Sequence, residues 1–249
     1  MATGPGAFSA LPVRRVQAGG GGLEGEPAGH WHRDVPVVRQ VLDEGWDLTA
    51  ATVLVGENGA GKSTLVEGVA AAFGLNPEGG STGARHRTRR TESGLADEIS
   101  LVRGAGGPRR GFFLRAETMH GFYTYLDENP GGGDPSFHEL SHGESFLELV
   151  ASRMNPRTPG LYVLDEPESA LSFTGCLVLL RHLHDLVAAG SQVVLSTHSP
   201  LLAALPGAVI LEVGPWGMRR AEWDELDLVV GWRGFLEAPG RYLRHVLED

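Results

Sequence analysis

Cysteine is almost missing from this chain of 249 residues, where Cys176 stands alone. A single thiol excludes an internal disulfide and any metal site built on several cysteines, and it suits a reducing compartment. Cys176 lies in an apolar stretch, which predicts a buried structural thiol. No apolar run approaches the ~20 residues that a membrane span needs. Arg14-Arg15 has no hydrophobic stretch beside it long enough for a secretory leader. These absences give the expectation of a soluble, cytoplasmic protein. Positive charge is also short: 21 Lys and Arg face 31 Asp and Glu, for a formal net charge of −10. Such a balance argues against a broad basic face for nucleic acid or anionic lipid and leaves room only for a local basic patch. Neither internal repeats nor coiled-coil heptads occur.

What the chain does contain begins with Gly56-Glu57-Asn58-Gly59-Ala60-Gly61-Lys62-Ser63-Thr64. The run fits G-x-x-x-x-G-K-[ST], the pattern of a phosphate-binding loop. In a chain with 36 glycines the pattern alone is a weak signal. Its flanks make it specific. Ala51-Thr52-Val53-Leu54-Val55 reads as a buried strand, and Leu65 to Phe73 has helical spacing. Glycines let backbone N–H groups turn inward around phosphate oxygens, and the helix N-terminus adds its positive end. Gly56, Asn58, Gly59, Ala60, Gly61, Lys62, Ser63 and Thr64 are therefore candidate ATP-binding residues. Lys62 would reach the β- and γ-phosphates, and the Ser63 hydroxyl would ligate Mg²⁺.

The rest of the chain alternates between strands and helices. The first 30 residues, rich in Gly, Ala and Pro, predict a partly flexible segment. Val35 to Arg39 reads as an early strand and Trp46 to Leu48 as a second. Residues 76–155 form an inserted region with strands at Glu98–Val102 and Phe112–Ala116, a short helix at Gly121–Leu126, a loop at Pro130–Pro135 and a helix at Glu144–Arg153. Clean alternation follows, with strands at Leu161–Leu164, Gln192–Ser196 and Ala208–Val213 and helices at Gly175–Ala189 and Pro200–Leu205. Apolar strands separated by helices imply an α/β fold with a parallel sheet covered on both faces. Residues 216–249 predict a C-terminal helical extension, with two helices and a break before Pro239. Residues 1–249 are expected to form one domain.

Leu161-Tyr162-Val163-Leu164-Asp165-Glu166 is an apolar strand ending in two carboxylates, and strand ends of a parallel sheet are where ligands sit. Asp165 there could hold Mg²⁺ opposite Ser63, and Glu166 could orient a water and take its proton. A pair of solvated, helix-capping carboxylates is the plainer explanation, and the phosphate loop upstream outweighs it. Leu195-Ser196-Thr197-His198 ends another strand, where His198 could bond the γ-phosphate and fix the attacking water. A histidine bonded to nearby backbone is the alternative. Glu166, His198 and Lys62 are thus the catalytic candidates.

Between the loop and the acidic strand lies Glu139-Leu140-Ser141-His142-Gly143-Glu144, which resembles the Leu-Ser-Gly-Gly-Gln signature of ATP-binding-cassette ATPases. Ser169-Ala170-Leu171-Ser172 resembles the family's Ser-Ala-Leu-Asp, and His198 matches its switch histidine. The order agrees over roughly residues 35–215. The resemblance implies a P-loop NTPase fold with a parallel central sheet, an antiparallel β portion and a small helical subdomain that carries the signature. It also implies a nucleotide-dependent head-to-tail homodimer with ATP between the phosphate loop of one copy and Ser141, Gly143 and Glu144 of the other. Three residues depart from the pattern: Glu117 where the family has glutamine, His142 for a signature glycine and Ser172 for aspartate. A carboxylate at Glu117 can still contact Mg²⁺, so it joins Ser63 and Asp165 as a candidate metal residue.

The segment Phe112 to Glu117, with Leu140 to Leu147, resembles small stand-alone bacterial ATPases of AAA or ABC type. A transporter subunit with a membrane partner is the first rival, and Glu117 speaks against it. A nucleic-acid-linked repair or defence ATPase is the second. Arg85, Arg87, Arg89 and Arg90 could meet nucleic-acid phosphates, although no aromatics interleave them and a solvated loop explains them too. Trp31 and Phe8 are candidates for stacking on adenine, and either could be core.

Overall fold

The computed structural model describes residues 10–20, 31–76, 79–81, 94–118 and 142–247. In chain order its elements are β1 (Arg15–Ala18), α1 (Pro36–Glu44), β2 (Trp46–Asp47), β3 (Ala51–Gly56), α2 (Lys62–Phe73), β4 (Gly80–Ser81), α3 (Leu95–Glu98), β5 (Ile99–Val102), β6 (Gly111–Arg115) and α4 (His142–Arg153). They continue with β7 (Leu161–Asp165), α5 (Phe173–Ala188), β8 (Gln192–Ser196), α6 (Pro200–Ala203), β9 (Val209–Gly214), β10 (Gly217–Arg220), α7 (Asp227–Glu237) and α8 (Pro239–Leu247).

The main sheet has seven strands in the order β10-β9-β3-β8-β7-β6-β4. The five inner strands run parallel, and β10 and β4 pair antiparallel at the edges. A second, three-stranded antiparallel sheet has the order β2-β1-β5. Alternation along each inner strand sends apolar side chains to both faces of the main sheet. Val53, Val55, Leu114, Leu164 and Leu195 build one core with Phe146 and Leu149 of α4 and Leu179 and Leu183 of α5. Leu54, Phe113, Val163 and Val194 build the other with Val37, Val38 and Val41 of α1 and Leu65, Val66 and Val69 of α2. Each such side chain contributes roughly 1.5–3 kcal/mol when fully buried. The parallel strands all end at one edge, which collects the loops after β3, β7 and β8.

Several sequence expectations need correction. Val35 to Arg39 is not a strand. Pro36 opens α1 at its first position, where a missing N–H costs nothing. Val37, Val38 and Val41 then fall on one buried helical face. The valines suggest a strand by composition, but their spacing and Gly45 at the C-terminal cap, with φ 75°, belong to a helix. Arg15–Ala18, inside the segment read as loose, is the central strand of the small sheet. Gly217–Arg220, read as part of a helical extension, is an edge strand that hairpins back on β9. The expected helix at 121–126 and loop at 130–135 lie outside the described residues, as do Phe8, Ser141 and the arginines from 85 to 90.

Gln192 joins the two sheets. Fully buried at the start of β8, its side-chain amide donates to the carbonyls of Val13 (2.7 Å) and Thr49 (2.9 Å), and its Oε1 accepts from the N–H of Val13 at 2.9 Å. Gln192→Leu would leave those backbone groups buried without partners, at about 1–3 kcal/mol for each group so stranded. The expected loss is roughly 2–5 kcal/mol in equilibrium urea unfolding. A loss below about 1 kcal/mol would show that the N-terminal segment is held by its strand pairing instead.

Candidate functional site

The loop after β3 depends on two glycines in conformations closed to other residues. Gly56 has φ 150° and Gly61 φ 98°. A Cβ on Gly56 would lie 2.2 Å from the carbonyl oxygen of Val213, and one on Gly61 would lie 2.4 Å from Cγ1 of Val35. Side chains are excluded there by both backbone and space. Lys62 opens α2, and its ammonium donates to the carbonyls of Gly56 (2.8 Å) and Glu57 (3.0 Å) and to Nε2 of His198 (2.9 Å). Burial pushes the Lys62 pKa down, and the nearby carboxylates of Glu166, Asp165 and Glu168 only partly oppose it. Lys62 is also the only lysine in the chain; every other basic residue of the Lys and Arg class is arginine.

The end of β7 faces this loop. Asp165 is buried. Its Oδ1 accepts from the hydroxyls of Ser63 (3.1 Å) and Ser196 (2.5 Å), and its Oδ2 lies 3.6 Å from Nε of Arg115. Burial raises the Asp165 pKa in spite of those hydrogen bonds and the guanidinium. Glu166 follows with φ 48° and ψ 50°, the only non-glycine among the described residues in the left-handed region. Such a conformation costs of order 1–3 kcal/mol and tends to mark functional sites. It is held by the Glu166 N–H donating to the carbonyl of Ser196 (3.1 Å), and by Ser169, whose N–H and hydroxyl donate to the Glu166 carbonyl.

The three catalytic candidates meet at one atom. Nε2 of His198 lies 2.9 Å from Nζ of Lys62 and 3.2 Å from Oε1 of Glu166. An ammonium only donates and a carboxylate only accepts, so one ring nitrogen cannot serve both at once. With Lys62 charged, Nε2 presents its lone pair to the lysine, and Glu166 retains acceptor capacity for another donor. Either protonation state of His198 thus leaves one partner available.

The remaining candidates are placed less centrally. Asn58, Gly59 and Ala60 line, with Gly56 and His198, a pocket of about 730 Å³ beside the loop. Its far wall is the β9–β10 turn, where Trp216 stands half exposed with the guanidinium of Arg219 4.2 Å from its ring centroid. Trp31 is exposed, and neither Gly143 nor Glu144 lines this pocket. Those two residues lie in the first turn of α4, which packs against the turn Pro167–Ala170 of the same chain. Glu117 shares a guanidinium with Asp165: its exposed carboxylate pairs with Nη2 of Arg115 at 3.5 Å, while Nε of Arg115 lies 3.6 Å from Asp165. Arg115 itself bridges to Glu67 of α2 at 2.9 Å. Arg115, Ser196, Glu168 and Trp216 were not singled out from the sequence. A charge closing the apolar run Phe112-Phe113-Leu114 was the one available signal, and it pointed to Arg115.

Comparisons with known proteins bear on this arrangement. A family described as "AAA domain, putative AbiEii toxin, Type IV TA system" matches residues 112–204. The chain is 32% identical over 181 residues to the cytochrome c biogenesis ATP-binding export protein CcmA of Rhodopseudomonas palustris, covering 66% of this chain and 86% of that protein. The chain belongs to the ATP-binding-cassette ATPases. It is also 28% identical over 177 residues to an uncharacterized ABC transporter ATP-binding protein of Haemophilus influenzae, where the match takes in 62% of this chain and 66% of that one, just under two thirds. A solved SMC head domain from Thermotoga maritima matches with a TM-score of 0.45 and 16% identity, covering 85% of this chain and 100% of that one. No helix among the described residues of this cassette ATPase is long and apolar enough to cross a membrane.

The single lysine makes the phosphate loop directly observable. Reductive methylation with ¹³C-formaldehyde would label only Lys62 and the N-terminal amine. The Lys62 resonance is expected to titrate below the ordinary lysine value of about 10.4. The folded state then binds the proton less tightly than the unfolded chain, so charge on Lys62 costs stability at neutral pH. That cost begins to shrink as pH rises through the lowered folded value and is gone only above the unfolded value of about 10.4. Lys62→Met should accordingly raise the urea midpoint at pH 7. Titration at or above the ordinary value would contradict the burial argument.

Proposed function

We propose that this cassette ATPase binds ATP with Mg²⁺ and hydrolyses it to ADP and phosphate, at sites completed by a second copy arranged head to tail. The convergence of Lys62, Glu166 and His198 on one nitrogen is the observation that carries the reading. Lys62 would exchange the carbonyls of Gly56 and Glu57 for β- and γ-phosphate oxygens, with backbone N–H groups of Gly59, Gly61, Lys62, Ser63 and Thr64 around them. Glu166 would orient a water and accept its proton as the bond to phosphorus forms. His198 would hold the γ-phosphoryl group as charge develops on it.

The donors on either side of the site suit Mg²⁺. A hydroxyl and a carboxylate, Ser63 and Asp165, are hard oxygen ligands already in contact at 3.1 Å. Bound there, the ion would neutralise charge on the phosphate oxygens. Glu117, turned to Arg115, is left out of this set. The first turn of α4 rests on its own chain's acidic turn, and a second copy would bring Ser141, Gly143 and Glu144 to the phosphate loop. A further reading, in which the ATPase drives a membrane transporter, draws on the two ATP-binding relatives named above; co-purification with a membrane partner would support it.

Glu166→Gln keeps the shape of the side chain and removes the base. Turnover should fall by about 10²–10⁴-fold while ATP affinity stays within a few-fold of the parent. Light scattering with saturating Mg-ATP should then show a dimer. A variant that remains monomeric would remove the composite-site proposal, and one that retains turnover would remove the role of Glu166. Lys62→Ala should abolish ATP binding by calorimetry, and unchanged affinity would refute the phosphate-loop assignment.

A further inference from the structure

Two loops bring together the groups that meet at His198. The turn after β7 carries Glu166, and the loop after β8 carries His198. Glu168, two residues beyond Glu166 on the turn Pro167–Ala170, joins one loop to the other: its Oε1 accepts the backbone N–H of His198 at 2.5 Å. The second oxygen, Oε2, is buried without a hydrogen-bond partner. A carboxylate in such a place is costly to the fold, because an unpartnered buried acceptor loses its water and gains nothing in return. Burial accordingly pushes the Glu168 pKa up, and the bond from the His198 N–H is the foremost influence opposing it.

Apart from the contact of the imidazole with Glu166, the other bonds at these strand ends stop short of His198. The Glu166 N–H reaches the carbonyl of Ser196, and the Ser196 hydroxyl reaches Asp165. Thr197 donates its N–H to the carbonyl of Leu54 at 3.0 Å. These contacts fix the strand ends. The residue that bears the imidazole is anchored by Glu168. Without that anchor the His198 N–H loses the acceptor that fixes it, although Thr197 and Ser199 on either side keep their own bonds, and a shift of the order of 1 Å in a reacting group is enough to cost ~10²-fold in rate.

We propose that Glu168 is a positioning residue for ATP hydrolysis, a clamp that sets His198 between Lys62 and Glu166. The proposal rests on the role given above to His198 in the reaction. Glu168 acts on the chemical step through His198 and leaves ATP binding to the phosphate loop. Its orphan oxygen does not contribute to the clamp, so an amide at this position retains the function: Gln keeps an acceptor for the His198 N–H, whereas Met keeps the volume without one.

The test is steady-state ATPase measurement on the full chain for E168M, E168Q, H198A and the double variant E168M/H198A, with thermal unfolding read for each. E168M should lower kcat by about 10–100-fold with KM for ATP within about threefold. E168Q should stay within about threefold of the parent in both. In the H198A background E168M should change kcat by less than about twofold, because the group it positions is already gone. An equal loss from E168M with and without His198, or a rise in KM at unchanged kcat, would overturn the clamp. Full activity in H198A would overturn the role of His198 and the clamp with it. If E168M does not fold, E168D replaces it: its shorter carboxylate withdraws the acceptor while keeping the charge, and the clamp then requires E168D to lose activity where E168Q does not.

Discussion

Five parallel strands end at the same edge of one sheet, and that edge is where this protein concentrates buried charge. Asp165, Glu166 and Glu168 arrive from β7, Arg115 from β6, and Lys62 from the helix after β3. Burial lowers the Lys62 pKa and raises those of Asp165 and Glu168. All three shifts have one sign in energy: each group would be more comfortable neutral than charged. Groups set against their own solvation persist only where the surrounding structure imposes them, and they cluster where chemistry needs them. The apolar layers on both faces of the sheet supply that imposition, since β3, β6, β7 and β8 cannot move their ends without disturbing both cores.

Arg115 shows how the arrangement is kept from flying apart. Its guanidinium meets Glu67, Asp165 and Glu117. Glu67 lies one turn beyond Ser63 on the same face of α2, and the Ser63 hydroxyl donates back to Asp165. Helix α2, the end of β6 and the end of β7 are therefore joined in a closed ring of polar contacts beneath the phosphate loop. The removal of one member from such a buried set leaves a charge without a partner, which is more damaging than the pair itself is favourable. The carboxylate at position 117 fits this frame: a guanidinium two residues before it answers its charge.

What was legible in the sequence was short-ranged. The loop from Gly56 to Thr64 declares itself because spacing, glycine and flanking apolar runs all lie within about twenty residues, and the strands at 161, 192 and 208 announce themselves by composition. The valines from 35 to 38 misled for the same reason, since β-branched residues favour strands and only the Pro36 position and the 37, 38, 41 spacing argue otherwise. Strand β1 was missed because its pairing partners are β2 and β5, and because the amide that holds Val13 belongs to Gln192, 179 positions away. Glu168 and Ser196 were invisible as site residues: their partners come from other strands, and nothing in the run Asp-Glu-Pro-Glu distinguishes a clamp from a solvated acid.

Position 166 states the conflict between backbone and chemistry most directly. The chain gives glycine to the left-handed positions at Gly59 and Gly61, where only backbone is wanted. At Glu166 the backbone makes a comparable demand, yet a side chain stands there, held by hydrogen bonds from both sides. Glycine would relieve roughly 1 kcal/mol of strain at such a φ, but it would carry no carboxylate to Nε2 of His198. A more extended backbone would relieve the strain too, but it would redirect the carboxylate by breaking the bond from the Glu166 N–H to Ser196. The turn that begins at Glu166 also delivers Glu168 to the His198 N–H, so the strained residue and the clamp are geometric consequences of one another. A backbone that relaxed at 166 would move both acids at once.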